Sequence, residues 1–382
     1  MPAGIVTLMH VVAVGGGHGL AATIEALGYD ESIETDAFTS VADSGSLTGV
    51  LRGMAAEVGD KPYGFGDLRN NLGRASLNLG GKLFNMRFGE DANPGIVRSL
   101  NDDLRLATWH NHLPEDLADV ALGDAVTYSE LLAEQNNSLR GHTYGNVVLA
   151  GLASRHGLLR GMDIANRWLE TKAHIQPITD MPHHLHMWDS GLVYHTEEVI
   201  DNRKVDDPER AYIWLDDGTD ISGKAYECLA SADIIVVAPG SLWTSTLPVL
   251  AVRGVAEAIQ EQAARHGTSR LIVANLVHEI NAGAMPLRTY RRKIEEITAS
   301  RFGVIHNTAV EAIPAAYQAL RAEDGDLEGE GFGAPLVSAK DITYDENDPL
   351  AYQRSGVAHD GPALADAILH AHQELVELSS RT

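Results

Sequence analysis

The run Gly15-Gly16-Gly17-His18-Gly19 carries the strongest chemical signal in the chain, and it directly follows the β-branched run His10 to Val14. Three consecutive glycines let the backbone turn sharply and come close to a ligand. A helix expected from Leu20 to Leu27 would aim its free N–H groups at the same point, which suits phosphate or pyrophosphate. The loop is too short for a P-loop and lacks the Gly-Lys-Ser/Thr ending. Gly17 to Ala22 fits a loose G-x-G-x-x-A dinucleotide pattern. A tight strand–helix turn with no ligand satisfies the same residues. His18 either touches a phosphate or caps the turn.

Four more polar clusters sit at strand ends or helix starts. The first is Asp43-Ser44-Gly45-Ser46, with Thr48 and Arg52 after it. Asp43 could hold Mg²⁺ or a ribose hydroxyl, and Ser44, Ser46 and Thr48 could bond phosphate oxygens. An Asp/Ser helix cap competes with that reading. In Gly66-Asp67-Leu68-Arg69-Asn70, Asp, Arg and Asn crowd together as metal, phosphate or sugar contacts require. Its bland alternative is an Asp67 N-cap beside an exposed Arg69. In the third, His142, Gly145 and Asn146 open an apolar helix (VVLAGLA), where capping is a serious rival. The fourth, Pro239-Gly240-Ser241 with Thr244 and Ser245, is a second glycine–serine turn and so a second anion or sugar site. Asn275, at the end of the run Arg270 to Leu276, would join it.

These clusters need a scaffold that brings strand ends together. Strands are expected at His10 to Val14, Asp36 to Ala42, Asp233 to Ala238 and Arg270 to Leu276. Helical segments are expected at Leu20 to Leu27, Leu247 to His266 and Pro362 to Leu378. Strand, glycine turn, helix, strand is the pattern of an α/β fold: a Rossmann-like three-layer α/β/α arrangement with a mostly parallel sheet. In such sheets ligands bind at the carboxyl edge, where the glycine loop and the Asp43 loop would both lie. Met181 to Asp220 reads as a smaller irregular excursion of short strands and hairpins, and Asp324 to Gly333 as a Gly/acid loop. No domain boundary is visible, so residues 1–382 are read as one domain.

Composition narrows the partners. The 382 residues carry 53 acids against 29 Lys and Arg, a formal charge of −24. Such a field repels a polyanion and argues against nucleic-acid binding. Any anionic ligand must be held locally, by loop amides, helix N-termini, a few Arg side chains or a metal ion. No apolar run approaches the roughly 20 residues that span a bilayer. Met1 to His10 does not read as a signal peptide. The single cysteine, Cys228, rules out an internal disulfide and suits a cytoplasmic protein; a lone Cys is usually a small buried apolar residue. The His183-His184-Leu185-His186 stretch lacks Cys or carboxylate partners at zinc-like spacing. There is no G-x-S-x-G elbow.

Taken in order and spacing, the five clusters resemble the YvcK/CofD-like superfamily from the glycine loop nearly to the C-terminus. Gly15 to Gly19 matches the His version of its Gly-Gly-Gly-Thr/His-Gly loop. Val41 to Arg52 resembles V-A-D-D-G-G-S-S-G-R-L-R, Gly64 to Arg69 resembles P-P-G-D-L-R, and Gly141 to Asn146 resembles G-H-x-x-G-N. Ala238 to Pro248 resembles G-P-G-S-x-x-T-S-x-x-P. Ser44 stands where the family has a second acid, Leu47 alters the G-S-S run, and neither proline precedes Gly66.

The resemblance implies one of two functions. YvcK-type proteins bind a UDP-sugar, notably UDP-N-acetylglucosamine, and are linked to carbon metabolism, cell wall and cell shape. Gly15 to Gly19 would then hold pyrophosphate, Asp43, Ser44 and Ser46 would face ribose or phosphate, and Gly240, Ser241 and Thr244 would line the other half of the cleft. CofD enzymes are Mg²⁺-dependent transferases that move a phospholactyl group from a nucleotidyl donor to a deazaflavin. Asp43 and Asp67 would then be catalytic and carry the metal. The superfamily also implies a homodimer. A nicotinamide-dependent dehydrogenase is a weaker third reading, without an identifiable hydride-transfer site.

Overall fold

The structure is a computed structural model. It describes residues 8–381, apart from 79, 90–91, 111–114, 136, 280–284, 314–318, 323–330 and 340–356. Most of the Gly/acid loop lies outside the described residues, and its end, Gly331–Ala334, is a strand.

A seven-stranded parallel sheet forms the centre. It uses β1 (Met9–Val14), β2 (Ile33–Thr39) and β3 (His174–Pro177), then β7 (Ile234–Val237), β8 (Ser269–Val273), β9 (Gly303–Asn307) and β10 (Gly331–Ala334). The strands between, β4 (Leu185–Asp189), β5 (Leu192–His195) and β6 (Tyr212–Leu215), form a separate antiparallel sheet in the order β5-β4-β6. The large sheet runs β10-β9-β8-β7-β1-β2-β3. The α/β class read from the sequence is the class observed. The excursion after Met181 is the small sheet.

Both faces of the large sheet are covered, which explains why β7 (IIVV) and the Val11 to Val14 part of β1 are continuously apolar and buried rather than alternating. On one face, Ala13 and Ala37 pack with Leu20 and Ile24 of helix α1 (Gly17–Leu27). A helical lobe joins them there, including α3 (Gly66–Ala75) and α7 (Tyr144–His156), with α2 (Ser46–Glu57) before α3 in the chain. On the other face, Val12, Val14 and Phe38 pack with Met187, Ile213 and the helix Val255–Ala263. The small sheet therefore keeps its inner side in the core.

Of the expected boundaries that move, three bear on the site. The second strand ends at Thr39 rather than Ala42, because Ser40 to Gly45 peel away to carry Asp43. The helix expected over Leu247 to His266 is two helices, Leu247–Leu250 and Val255–Ala263, divided at Gly254 with φ 98°. The strand expected to reach Leu276 ends at Val273, so Asn275 lies in the loop beyond it.

Strand order fixes where a ligand would sit. Chain connections leave β1 for β2 on one side, and return from β6 to β7 on the other. The crevice between such neighbours, at their carboxyl ends, is where open α/β sheets bind ligands. The two glycine turns follow β1 and β7.

Among the described residues, no helix is long and apolar enough to cross a membrane.

Candidate functional site

The two glycine turns touch. A Cβ placed on Gly19 would collide with the carbonyl oxygen of Pro239, and one on Gly16 would lie 3.2 Å from Ser245 Cβ. Only a residue without a side chain lets the first turn of α1 sit on the second glycine turn. Asn275 braces that turn from the loop after β8: its Oδ1 accepts from Gly240 N at 2.7 Å and its Nδ2 donates to Gly240 O at 2.9 Å. Ser241 caps the following helical turn, accepting from Thr244 N. The expected pairing of Asn275 with the second turn is therefore a backbone brace.

The amides of the first loop are not all free. Gly17 N donates to Asp67 Oδ1 at 2.9 Å, and a Cβ on Gly16 would collide with Asp67 Oδ2. Asp67 lies in the first turn of α3, whose N-cap position is Phe65, so it is not the helix cap. Asn71 Nδ2 donates to the Asp67 carbonyl at 2.8 Å. Asp43 lies alongside: its Oδ1 accepts from Gly45 N at 3.0 Å, and its other oxygen fills the space a side chain on Gly66 would need. Burial pushes the Asp43 carboxyl up, against the pull of Gly45 N, Thr48, Arg69 and Arg52. Burial and then the Asp43 charge push Asp67 up to about 7.

Three further acids complete this edge, and no motif marked them. Glu197 and Asp201 bound the short helix Glu197–Asp201 that follows β5. Glu197 Oε2 accepts from Ser44 N at 3.2 Å, while Glu198 N donates to Ser44 Oγ at 3.1 Å. Burial, then Asp43, push Glu197 up to about 8. Ser44 thus receives the helix that connects β5 to β6 of the small sheet, and a carboxylate stands beside it from another part of the chain. Asp201 accepts from Thr244 Oγ1 at 3.2 Å. Glu279 accepts from Leu242 N at 3.0 Å and Asn275 Nδ2 at 2.9 Å, and burial pushes it up to about 7.

The remaining residues from the sequence reading lie further out. Arg69 bonds Asn85, and its Cγ would meet a Cβ on Gly145 at 2.8 Å, so the third cluster joins the site through Arg69. Asn70 is half-buried beside it. His142 and Asn146 are buried at 1% and 4% exposure. Neither caps α7: its N-cap position is Thr143, and no side-chain cap bond forms there. His142 Nδ1 and Asn146 Oδ1 have no hydrogen-bond partner among the described residues. Burial holds the His142 imidazole below its usual range. His18 is exposed, with its ring 3.3 Å from Arg74. Ser46 opens α2.

The electrostatics select a ligand class. Glycine turns and a helix N-terminus favour an anion, yet five carboxylates surround them. A phosphate placed here needs a bridging cation. Mg²⁺ is characteristically held by one or two carboxylates together with substrate phosphates. Asp43 and Asp67 supply that number. Burial raises the proton affinity of both, and the Asp43 charge raises that of Asp67 further, a conflict that a divalent ion relieves. No three of the site's acids gather within 4.8 Å among the described residues, so no all-protein cage forms. The residues fit an ion carried by a phosphate ligand.

Comparison with known proteins agrees with the fold. Two crystal structures of a UPF0052-family protein from Bacillus halodurans superpose with TM-score 0.68 at 21% identity, the first covering 95% of this chain and 99% of that one. Among curated relatives, a "Putative gluconeogenesis factor" of Streptococcus pneumoniae is 26% identical over 66% of this chain and 65% of its own length. A protein of the same description from Thermotoga maritima is 28% identical over 70% and 68%. The matched region thus spans about two thirds of those relatives. A "Gluconeogenesis factor" of Halalkalibacterium halodurans is 33% identical over 35% of this chain and 41% of its own. The family model described as 2-phospho-L-lactate transferase CofD matches residues 11–330, and the chain belongs to the CofD family.

Proposed function

We propose that the crevice between β1 and β7 binds a sugar nucleotide of the UDP-N-acetylglucosamine kind, and that the chain is a regulatory binding protein of the YvcK type. The observation that carries this is the contact of the two glycine turns, Gly19 on Pro239, at the strand-order reversal. One turn would take the pyrophosphate, and the other would face the sugar. The names of the curated relatives support a link to carbon metabolism. The protein would act in the cytoplasm as a homodimer.

Asp43 and Asp67 would hold a Mg²⁺ ion, which supplies charge neutralisation for the phosphates. The chain's own residues do the rest. Gly17 N, which donates to Asp67 in the ligand-free chain, would be the loop amide for a phosphate oxygen if Asp67 held the ion instead. Asn275 keeps Gly240 in register, and Ser241 and Thr244 fix the second turn. A thermal-shift screen across UDP-N-acetylglucosamine, GDP, NAD and a deazaflavin tests the reading. A shift with the UDP-sugar alone supports it, and a shift with NAD alone overturns it.

One observation favours a second reading, the CofD-type transferase. Glu197, at about 8, and Asp67, at about 7, lie beside the loop with proton affinities near neutrality. Either could take the proton of an acceptor hydroxyl attacking a bound phosphate. Incubation with a nucleotidyl-phospholactate, a deazaflavin and Mg²⁺ would yield phospholactyl-deazaflavin and release the nucleoside monophosphate, and an unchanged acceptor would exclude it.

A further inference from the structure

Away from the cleft, toward the amino ends of the strands, lies a second polar cluster that the nucleotide reading does not use. His10 on β1 and Asp36 on β2 point to the face of the large sheet that the helix Gly223–Ser231 covers. That helix contributes Cys228, the only cysteine in the chain. His10 Nε2 lies 2.8 Å from Asp36 Oδ2, and Cys228 Sγ lies 3.3 Å from the same oxygen. Asp36 is 7% exposed and Cys228 4%. Among the described residues, this is the one set of three metal-ligating side chains whose ligand atoms all lie within 4.8 Å of one another.

We propose that His10, Asp36 and Cys228 bind a divalent transition-metal ion of the Zn²⁺ class. Nitrogen, oxygen and sulfur ligands are those Zn²⁺ prefers, at about 2.0–2.3 Å. Tetrahedral bonding at those lengths separates neighbouring ligand atoms by roughly 3.3–3.5 Å. The present separations of 2.8 and 3.3 Å reach that spacing with small side-chain rotations.

The surroundings are built as supports. His174 Nδ1 donates to Asp36 Oδ1 at 3.1 Å, leaving Oδ2 for the ion, and its Nε2 lies 3.0 Å from Asp163. Gln176 Nε2 donates to the same Asp163 oxygen at 2.6 Å. Such outer partners fix the orientation of a ligating carboxylate. His10 is held by its backbone, with His10 N on Asp233 Oδ2 at 2.9 Å and Asp233 N on His10 O at 2.8 Å. Burial and then Asp36 push the Cys228 thiol up to about 12, with Lys224 pulling the other way, and a bound ion would itself deprotonate the sulfur. The His10 side chain is 21% exposed, which leaves room for water as a fourth ligand. An ion here would tie β1, β2 and the covering helix together. His10, near the start of β1, and Gly15, just past its end, are five residues apart, about 16 Å, so the site stands or falls independently of the nucleotide cleft.

The full-length protein, stripped with a chelator and titrated with Co²⁺, gives the direct test. The expected result is one tightly bound ion with a thiolate-to-cobalt charge-transfer absorption, displaced by Zn²⁺. Cys228→Ser abolishes that absorption and lowers the bound metal by one equivalent. His174→Gln, which touches no ion, weakens affinity by about 10–100-fold while the absorption persists at saturation. Absence of the thiolate band in the folded wild-type protein overturns the proposal. So does metal content unchanged in Cys228→Ser, which would place the ion elsewhere. If Cys228→Ser fails to fold, His10→Gln serves instead, and an unchanged cobalt spectrum in that variant also overturns it.

Discussion

Replacing Glu197 with glutamine should make the ligand-free protein more stable, and increasingly so as the pH rises. Glu197 is held in the acid edge beside Asp43, with Ser44 N on its carboxyl. Its carboxyl moves from 4.5 to about 8 on folding. A raised pKa means that the folded state keeps the proton and the unfolded state does not. Its contribution to stability is therefore complete below pH 4.5 and is lost as the pH climbs toward 8. At about 1.4 kcal/mol per pH unit, the ceiling of that loss is about 5 kcal/mol. Glu197 is partly open to solvent and is coupled to Asp43 and Asp67, so roughly 2–3 kcal/mol is the working figure. Glutamine keeps an acceptor for Ser44 N and carries no charge. Urea unfolding in chelator at pH 5, 6.5 and 8 reads the difference. A stability gain of about 2–3 kcal/mol at pH 8, shrinking toward zero at pH 5, is expected. A gain independent of pH, or a loss at pH 8, would refute the charge-crowding argument.

Three other substitutions probe the same edge. Gly19→Ala forces a Cβ into the Pro239 carbonyl; it should cost about 1–3 kcal/mol in denaturant unfolding and remove nucleotide binding. Asn275→Ala leaves Gly240 N and O without their brace, which should cost about 1–3 kcal/mol and weaken ligand affinity in calorimetry while the circular dichroism spectrum stays native. Asp67→Asn keeps an acceptor for Gly17 N but removes the charge, so melting at pH 8 should rise while Mg²⁺ no longer strengthens ligand binding.

What the sequence disclosed was local, and what it concealed was tertiary. The glycine loop, Asp43, Asp67 and the second glycine turn each sit in a short stretch of turn and polar residues directly after a strand or before a helix, so their types and spacing announce them. The strand pattern around them suffices for a parallel α/β sheet. Glu197, Asp201 and Glu279 carry no such mark. They become site residues only because the small sheet folds the helix between β5 and β6 back onto Ser44, and because the Leu242 amide reaches Glu279. Ser44 stands where the family has a second acid, and Glu197 stands beside it from 153 residues away. Helix packing from Pro94 to Leu169 was likewise not legible, since a helix such as Tyr144–His156 is buried almost all round and shows no clean polar face. Asp36 gave no signal either, because a strand acid bonded by His10, His174 and Cys228 is a product of register between neighbouring strands.

Isothermal titration with UDP-N-acetylglucosamine, in Mg²⁺ and again in chelator, tests the central claim most directly. If the glycine turns cradle phosphates while Asp43 and Asp67 share a cation with them, the ligand binds one per chain. Removing Mg²⁺ should then weaken it by at least about tenfold, or about 1.4 kcal/mol. No heat at millimolar ligand, or binding that chelator leaves untouched, would contradict it.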